Sequence, residues 1–291
     1  MARKTQRRPD KIELGVVDIH THVLPGIDDG AEKMALSYRM LRRSYKQGVR
    51  KVIATPHYVA YHWRTKPQQI QELMEKLAAR VRKAMPDLEL YRGQEIQYFE
   101  GMVEMLREGK LLTLAGSRYV LTEFLPTSSW SQIERAVREL TMAGYLPVLA
   151  HIERYQCLRE KGRLEELMKK GAYLQMNYGS LTKLSHFWKI RERLDRRWCR
   201  RTLLAGYISF LGTDMHGNRH RVPNSAKAIA WIRKREAVSL PDSCRSKIRK
   251  RSYWMRNCKR IDVCEKMQMF FEITWLQNID KFRYRACMRE P

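Results

Sequence analysis

Residues Val16–Gly30 read VVDIHTHVLPGIDDG, and this stretch decides both the fold and the chemistry of the chain. The apolar run Leu14–Ile19 predicts a buried strand, and His20 and His22 stand two apart at its end. In an extended segment such residues share a face, so Asp18, His20 and His22 are expected to project together, away from Val17, Ile19 and Thr21. Two neutral imidazoles side by side make half of a site for a borderline divalent ion. Pro25, Gly26, Asp28, Asp29 and Gly30 form the following loop, from which Asp29 can return to the same point. A His-x-His at a strand end also arises through packing alone, so its meaning rests on whether the pattern recurs.

It recurs at almost every strand end. Strand patterns lie near 14–20, 50–57, 88–95, 118–123, 145–151, 172–177 and 207–214, with helical patterns near 33–47, 67–84, 130–143, 159–170 and 185–204 between them. Pro67–Ala84 shows the helical signal: a proline opens it, then Ile70, Leu73, Met74, Leu77, Ala78 and Val81 share one face. Alternating strands and helices imply parallel strands with crossover helices, and seven such units predict an α/β fold, a (β/α)7 barrel rather than an open sheet. KVIATPH ends on His57, LELYRGQE on Glu95, RYVLTE on Glu123, YLPVLAH on His151, and YISFLGTDMH on Asp214 and His216. In a parallel barrel these ends gather at one rim, where barrel enzymes carry out their chemistry. Buried carboxylates without a counter-charge are costly, and divalent cations supply one. Five histidines, two glutamates and one or two aspartates exceed the four or so ligands of a single zinc. They suit two or three ions of Mn, Fe or Zn, with Glu95 and Glu123 as bridges. Arg154 in HIERY and Arg221 in HGNRHRVP follow the rim histidines, and guanidinium forks grip phosphate oxygens well; Arg219 competes for the second role.

Composition bounds the remaining possibilities. A chain of 291 residues with 44% hydrophobic content can bury a large core. No apolar run approaches the roughly 20 residues needed to span a bilayer, and no signal-peptide pattern follows the basic start MARKTQRRPDK, so a cytoplasmic location is expected. None of the six cysteines forms a C-x-x-C and no C-x5-R phosphate loop occurs, which argues against a zinc ribbon, a disulfide framework and a cysteine phosphatase. The net charge of +26 attracts polyanions: nucleic acid, an acidic membrane surface, or a phosphorylated acidic protein.

DIHTHVLPGIDDGA, ATPHY, GQE, LTEF, HIERY and GTDMHGNRHRVP, in that order, resemble the polymerase-and-histidinol-phosphatase (PHP) superfamily. Within it they are similar to the bacterial capsular and exopolysaccharide tyrosine phosphatases of the CpsB/YwqE type. The resemblance covers residues 14–235 and implies a distorted (β/α)7 TIM-like barrel, the PHP fold, with a manganese-favouring cluster. It implies metal positions at His20, His22, Asp29, His57, Glu95, Glu123, His151, Asp214 and His216, and phosphate-binding arginines at Arg154 and Arg221. The implied substrate is phosphotyrosine on a cognate bacterial tyrosine kinase. Ile152 departs from the proline usual after the histidine and is expected to change loop stiffness. Residues 1–13 are expected to form a basic extension, and residues 236–291 a divergent basic tail outside the family pattern, either poorly packed or an added binding element. Histidinol-phosphate hydrolysis, manganese-dependent exonuclease action and plain polyanion binding are the alternatives.

Overall fold

Seven parallel staves wrap around one apolar interior and carry their carboxyl ends to a common mouth. The computed structural model describes residues 15–182 and 190–239. β1 (Val16–Thr21) pairs with β2 (Val49–Ala54), and β2 with β4 (Glu89–Arg92). β3 (His57–Tyr58), β5 (Glu95–Gln97), β6 (Tyr119–Glu123), β7 (Leu146–Leu149), β8 (Tyr173–Asn177) and β9 (Phe210–Gly212) follow in a second sheet, every pair parallel.

The two sheets are one barrel. β3 continues β2 past Thr55-Pro56, and β5 continues β4 past Gly93-Gln94. The breaks are stitched by Gly93 N donating to Ala54 O at 2.9 Å and Glu95 N to Pro56 O at 3.1 Å. A proline cannot donate to the ladder, which explains the first interruption within a strand expected to run unbroken over 50–57. Closure comes from β9 against β1, where Asp214 N donates to His20 O at 2.8 Å and His22 N to Met215 O at 3.1 Å. The expected (β/α)7 barrel is thus the observed fold.

The interior is filled by Val17 and Ile19 of β1, Ile53 of β2, Tyr119 and Leu121 of β6, Val148 of β7 and Phe210 of β9, with Leu114 and Ala150. Outside, α1 (Met34–Lys46) and α2 (Pro67–Val81) press Met40, Leu41, Ile70, Met74 and Leu77 onto Val49, Val52 and Ala54. Each such aliphatic contributes ~1.5–3 kcal/mol by leaving water. α3 (Met102–Arg107), α4 (Trp130–Met142), α5 (Arg163–Lys169), α6 (Tyr178–Thr182), α7 (Ile190–Leu204) and α8 (Ser225–Ser239) complete the outer layer. Ser129 caps α4: its Oγ accepts from Gln132 N at 3.3 Å while Gln132 Oε1 accepts from Ser129 N at 2.9 Å. The expected extension at 1–13 lies outside the described residues, as does the expected tail beyond Ser239. No helix among the described residues is long and apolar enough to cross a membrane.

One local expectation fails. Asp18 pairs with Val52 and Thr21 with Ala54, so three steps of β1 match two of β2. This bulge breaks the strict alternation that would place Asp18 beside His20 and His22. Asp18 turns to the β9 seam instead, accepting from Thr213 N at 2.8 Å and Thr213 Oγ1 at 2.6 Å.

Candidate metal centre

Each rim side chain is delivered by the end of a stave. His20 and His22 come from β1 and the residue beyond it, His57 opens β3, Glu95 opens β5, Glu123 closes β6, and His151 follows β7. Asp214 and His216 follow β9, and Asp29 comes from the loop after β1. Three of the four described non-glycine residues with positive φ belong to this rim: His151 (30°), Asp214 (49°) and Arg221 (43°). Backbone held in that region is strained, and such strain concentrates where side chains must be aimed.

The nine residues converge. His22, Asp29, His57 and His216 form one group, His20, His22, Glu95 and Asp214 a second, and His57, Glu95 and Glu123 a third; within each, one donor atom per residue lies within 4.8 Å of the others. Glu95 is the hub shared by the last two. Its Oε2 lies 3.0 Å from His20 Nε2, 3.2 Å from His22 Nε2 and 3.2 Å from His57 Nδ1, and its Oε1 lies 2.8 Å from His151 Nε2. Glu123 reaches the same ring nitrogens, 3.6 Å from His57 Nδ1 and 3.3 Å from His151 Nε2. Asp29 stands 3.5 Å from His57 Nε2 and 3.2 Å from His216 Nε2.

The protonation pattern can be read from fixed donors. Gln175 Oε1 accepts from His151 N at 2.6 Å; a backbone N–H only donates, so this amide oxygen is an acceptor and His20 Nδ1, 3.2 Å away, donates to it. His22 Nδ1 donates to Asp28 Oδ2 at 2.8 Å. His216 Nδ1 donates to Asp214 O at 3.0 Å. In the neutral rings, then, all three Nε2 atoms carry a lone pair: those of His20 and His22 face each other at 3.2 Å, while that of His216 accepts from Arg221. Glu95 Oε2 and His57 Nδ1 are buried and make no hydrogen bond. Acceptors aimed at one another without a proton between them repel, and a cation among them reverses the sign. Imidazole and carboxylate without thiolate suit Mn, Fe or Zn, so the donor set fits borderline or hard divalent ions.

Electrostatics of the rings and carboxylates follow their neighbours. Burial alone raises Glu95, but His20 and His151 hold it well below the usual range. Burial and the charge of Glu95 push Glu123 up. Burial opposes charge on His151, yet Glu95 lifts it to about 9. His22 is likewise carried well above its usual value by Asp28, against its burial. Burial drops His57 to about 4. Asp29, with His216 and His57 beside it, falls to about 2 despite partial burial.

Both arginines flank this rim. Arg154 pairs with Asp214 Oδ2 and keeps 31% of its side chain exposed. Arg221 donates from Nη1 to His216 Nε2 at 2.6 Å and lies 3.9 Å from Asp214 Oδ1, with 39% exposed. Arg219 is exposed.

Three supporting residues escaped the sequence reading. Asp28 holds His22 and also accepts from His57 N at 3.0 Å and Gly30 N at 3.0 Å. Gln175 holds His20 and donates to Asn177 Oδ1 at 3.0 Å, and Asn177 Nδ2 donates to Asp214 Oδ2 at 2.9 Å. Gln175 and Asn177 lie in the C-terminal half of β8, the one stave that supplies none of the nine rim donors. Their i, i+2 polar spacing at a strand end was the signal that could have found them.

Residues 16–244 match the family model for capsular polysaccharide synthesis, CpsB/CapC. The tyrosine-protein phosphatase CpsB of Streptococcus agalactiae is 31% identical over 218 residues, covering 75% of this chain and 89% of that protein. The tyrosine-protein phosphatase YwqE of Bacillus subtilis is 33% identical over 227 residues, covering 78% and 87%. Among solved structures, those of YwqE from Bacillus subtilis and CpsB from Streptococcus pneumoniae, described as unique metal-dependent tyrosine phosphatases, align with a TM-score of 0.67 at 30% identity over 76% of this chain and 87% of the other. With this match spanning the staves that build the rim, the chain belongs to the CpsB/CapC family of capsular polysaccharide synthesis.

Proposed function

We propose that this chain is a metal-dependent protein-tyrosine phosphatase of capsular or exopolysaccharide synthesis, acting on phosphotyrosine of a bacterial tyrosine kinase. The observation that carries the reading is the buried Glu95 Oε2, ringed by three imidazole nitrogens and without a hydrogen bond, at the hub of nine convergent donors. His20, His22, Asp29, His57, Glu95, Glu123, His151, Asp214 and His216 would hold two or three ions, manganese foremost, with the barrel of residues 14–235 as the catalytic unit. Such ions, when bound, supply a water of lowered pKa and neutralise charge on phosphoryl oxygens.

The rest falls to the chain's own groups. Asp28, Gln175 and the Asp214 carbonyl fix the ring tautomers, so that His22 and His20 present Nε2 inward, and His216 would do so once Arg221 turns from its Nε2 toward the phosphate. Arg154 and Arg221 each have N–H donors beyond those engaged in the rim and would fork onto the non-bridging phosphate oxygens. Phenolate leaves with a pKa of about 10, which lessens the need for a strong general acid. None of the nine rim donors is a cysteine or a serine.

The test is direct. Purified protein is analysed for metal, then assayed on a phosphotyrosine peptide, histidinol phosphate and single-stranded DNA before and after chelation. Phosphotyrosine turnover that vanishes on chelation and returns best with manganese is expected. Full turnover by chelated protein, or preference for either other substrate, contradicts it.

A further inference from the structure

Directly after β3 the chain makes a tight hairpin whose sequence, VAYHWR over residues 59–64, has no part in the metal rim. It is pinned at both ends. Val59 N donates to Trp63 O at 2.8 Å, His62 N to Val59 O at 2.9 Å, and Tyr58 bridges Arg64 in antiparallel fashion. Behind it, Thr65 Oγ1 donates to His57 O at 3.0 Å, while Gln94 Nε2 donates to Thr65 O at 2.8 Å, tying the hairpin to the residue before β5. The Trp63 indole lies nearly parallel to the His57 imidazole, with centroids 5.2 Å apart and planes at 13°. Trp63 is itself only half-buried, and Tyr61 at the hairpin tip is 93% exposed. A large aromatic surface is therefore held rigidly at the edge of the site and left partly open to water.

His57 joins this surface to the anion side of the rim. Its ring centroid lies 5.9 Å from that of His216, whose Nε2 accepts from Arg221. An aryl phosphate held by the arginines must direct its ester oxygen, and the ring one bond beyond it, out of the mouth. An apolar ring leaving a charged rim needs a flat, apolar neighbour, and aromatic pairs prefer offset or edge contacts. Resting on the phosphatase reading above, we propose that Trp63 is the platform for the phenyl ring of phosphotyrosine, so that this hairpin makes the site select aryl over alkyl phosphate monoesters. Preorganisation by the Val59, Thr65 and Gln94 contacts means little ordering is lost when the ring docks.

The experiment compares wild type, Trp63→Phe and Trp63→Ala, each with metal content measured. The readouts are KM and kcat on phosphotyrosine peptide, competitive inhibition by inorganic phosphate, and calorimetric binding of a phosphonomethylphenylalanine peptide. Trp63→Ala should raise the aryl KM and the phosphonate Kd by about 3- to 10-fold, the range of an aromatic pair. Inhibition by phosphate, kcat and metal content should stay near wild type, and Trp63→Phe should recover most of the loss. A Trp63→Ala enzyme that weakens phosphate and phosphonate equally, or loses metal, overturns the platform and makes Trp63 only a cover for His57. So does one that binds the phosphonate as wild type does. Failure of the wild type itself to hydrolyse phosphotyrosine, with metal bound, instead removes the phosphatase reading on which the platform stands.

Discussion

Asp28 and Asp29 are neighbours in sequence with different tasks. Asp29 faces His57 and His216 from the open side, half exposed. Asp28, its side chain fully buried, faces backwards and bonds His22 Nδ1, His57 N and Gly30 N. Asp28→Asn keeps the size but removes the charge, and it turns an amide N–H toward one of three donors. Partners of this kind typically change metal affinity or activity by about 10–100-fold, so a loss of that order is expected in a metal titration of the variant. Wild-type affinity would mean that Asp28 does not set the His22 ring. Eight of the nine rim donors were readable because imidazoles and carboxylates recurring at strand ends are few; Asp29 was reachable only as a loop residue able to return to the same point. Asp28, Gln175 and Asn177 were not, because hydrogen-bonding residues in loops and strands are common, and only the folded turn shows which way each one faces.

At the scale of elements, β1 and β9 meet closely at the rim. A Cβ on Gly212 would lie 2.7 Å from His20 Cβ and 3.1 Å from Gln175 Nε2. Gly212→Ala must therefore push β9 from β1 or turn the His20 ring away from Glu95. Overpacking of this kind costs about 1–3 kcal/mol, which urea denaturation would report, and turnover on p-nitrophenyl phosphate should fall further than stability does. Unchanged stability and turnover would show that the seam yields freely. The long amphipathic helices α1, α2, α4 and α7 were legible from their periodicity. α3 and α6, with six and five residues, are too short to show a period. The β1 bulge left no mark in the sequence, since Asp18 finds Thr213 across 195 residues of chain. Ile152, directly after His151, is buried among Phe124, Tyr155 and Leu158 and begins a short helical turn, so apolar packing contributes to order there.

Across the whole molecule, the barrel closes only because its two ends meet at the site. β1 supplies His20 and His22, β9 leads into Asp214 and His216, and the backbone bonds joining them run directly beneath these ligands. Seven strand–helix alternations made a barrel the economical reading of the sequence; the closing pair, being the most distant in the chain, could be inferred only from that count. The same geometry couples metal to stability. Four carboxylates, Asp29, Glu95, Glu123 and Asp214, and five imidazoles are packed at the rim, and anything that binds them in the folded state alone stabilises that state. At about 100 times its Kd an ion contributes ~2.7 kcal/mol. In a barrel of this size 1 kcal/mol moves Tm by about 2–4 °C, so stripping one such ion should lower it by roughly 5–10 °C. Calorimetric scans of metal-loaded, chelated and reloaded protein would show the drop and its reversal, and His20→Ala should sit near the chelated value and respond little to added manganese. A Tm that ignores complete removal of metal would mean the ligands reach this arrangement unaided, and the rim's stability would then have to come from proton sharing among Glu95, His22 and His151.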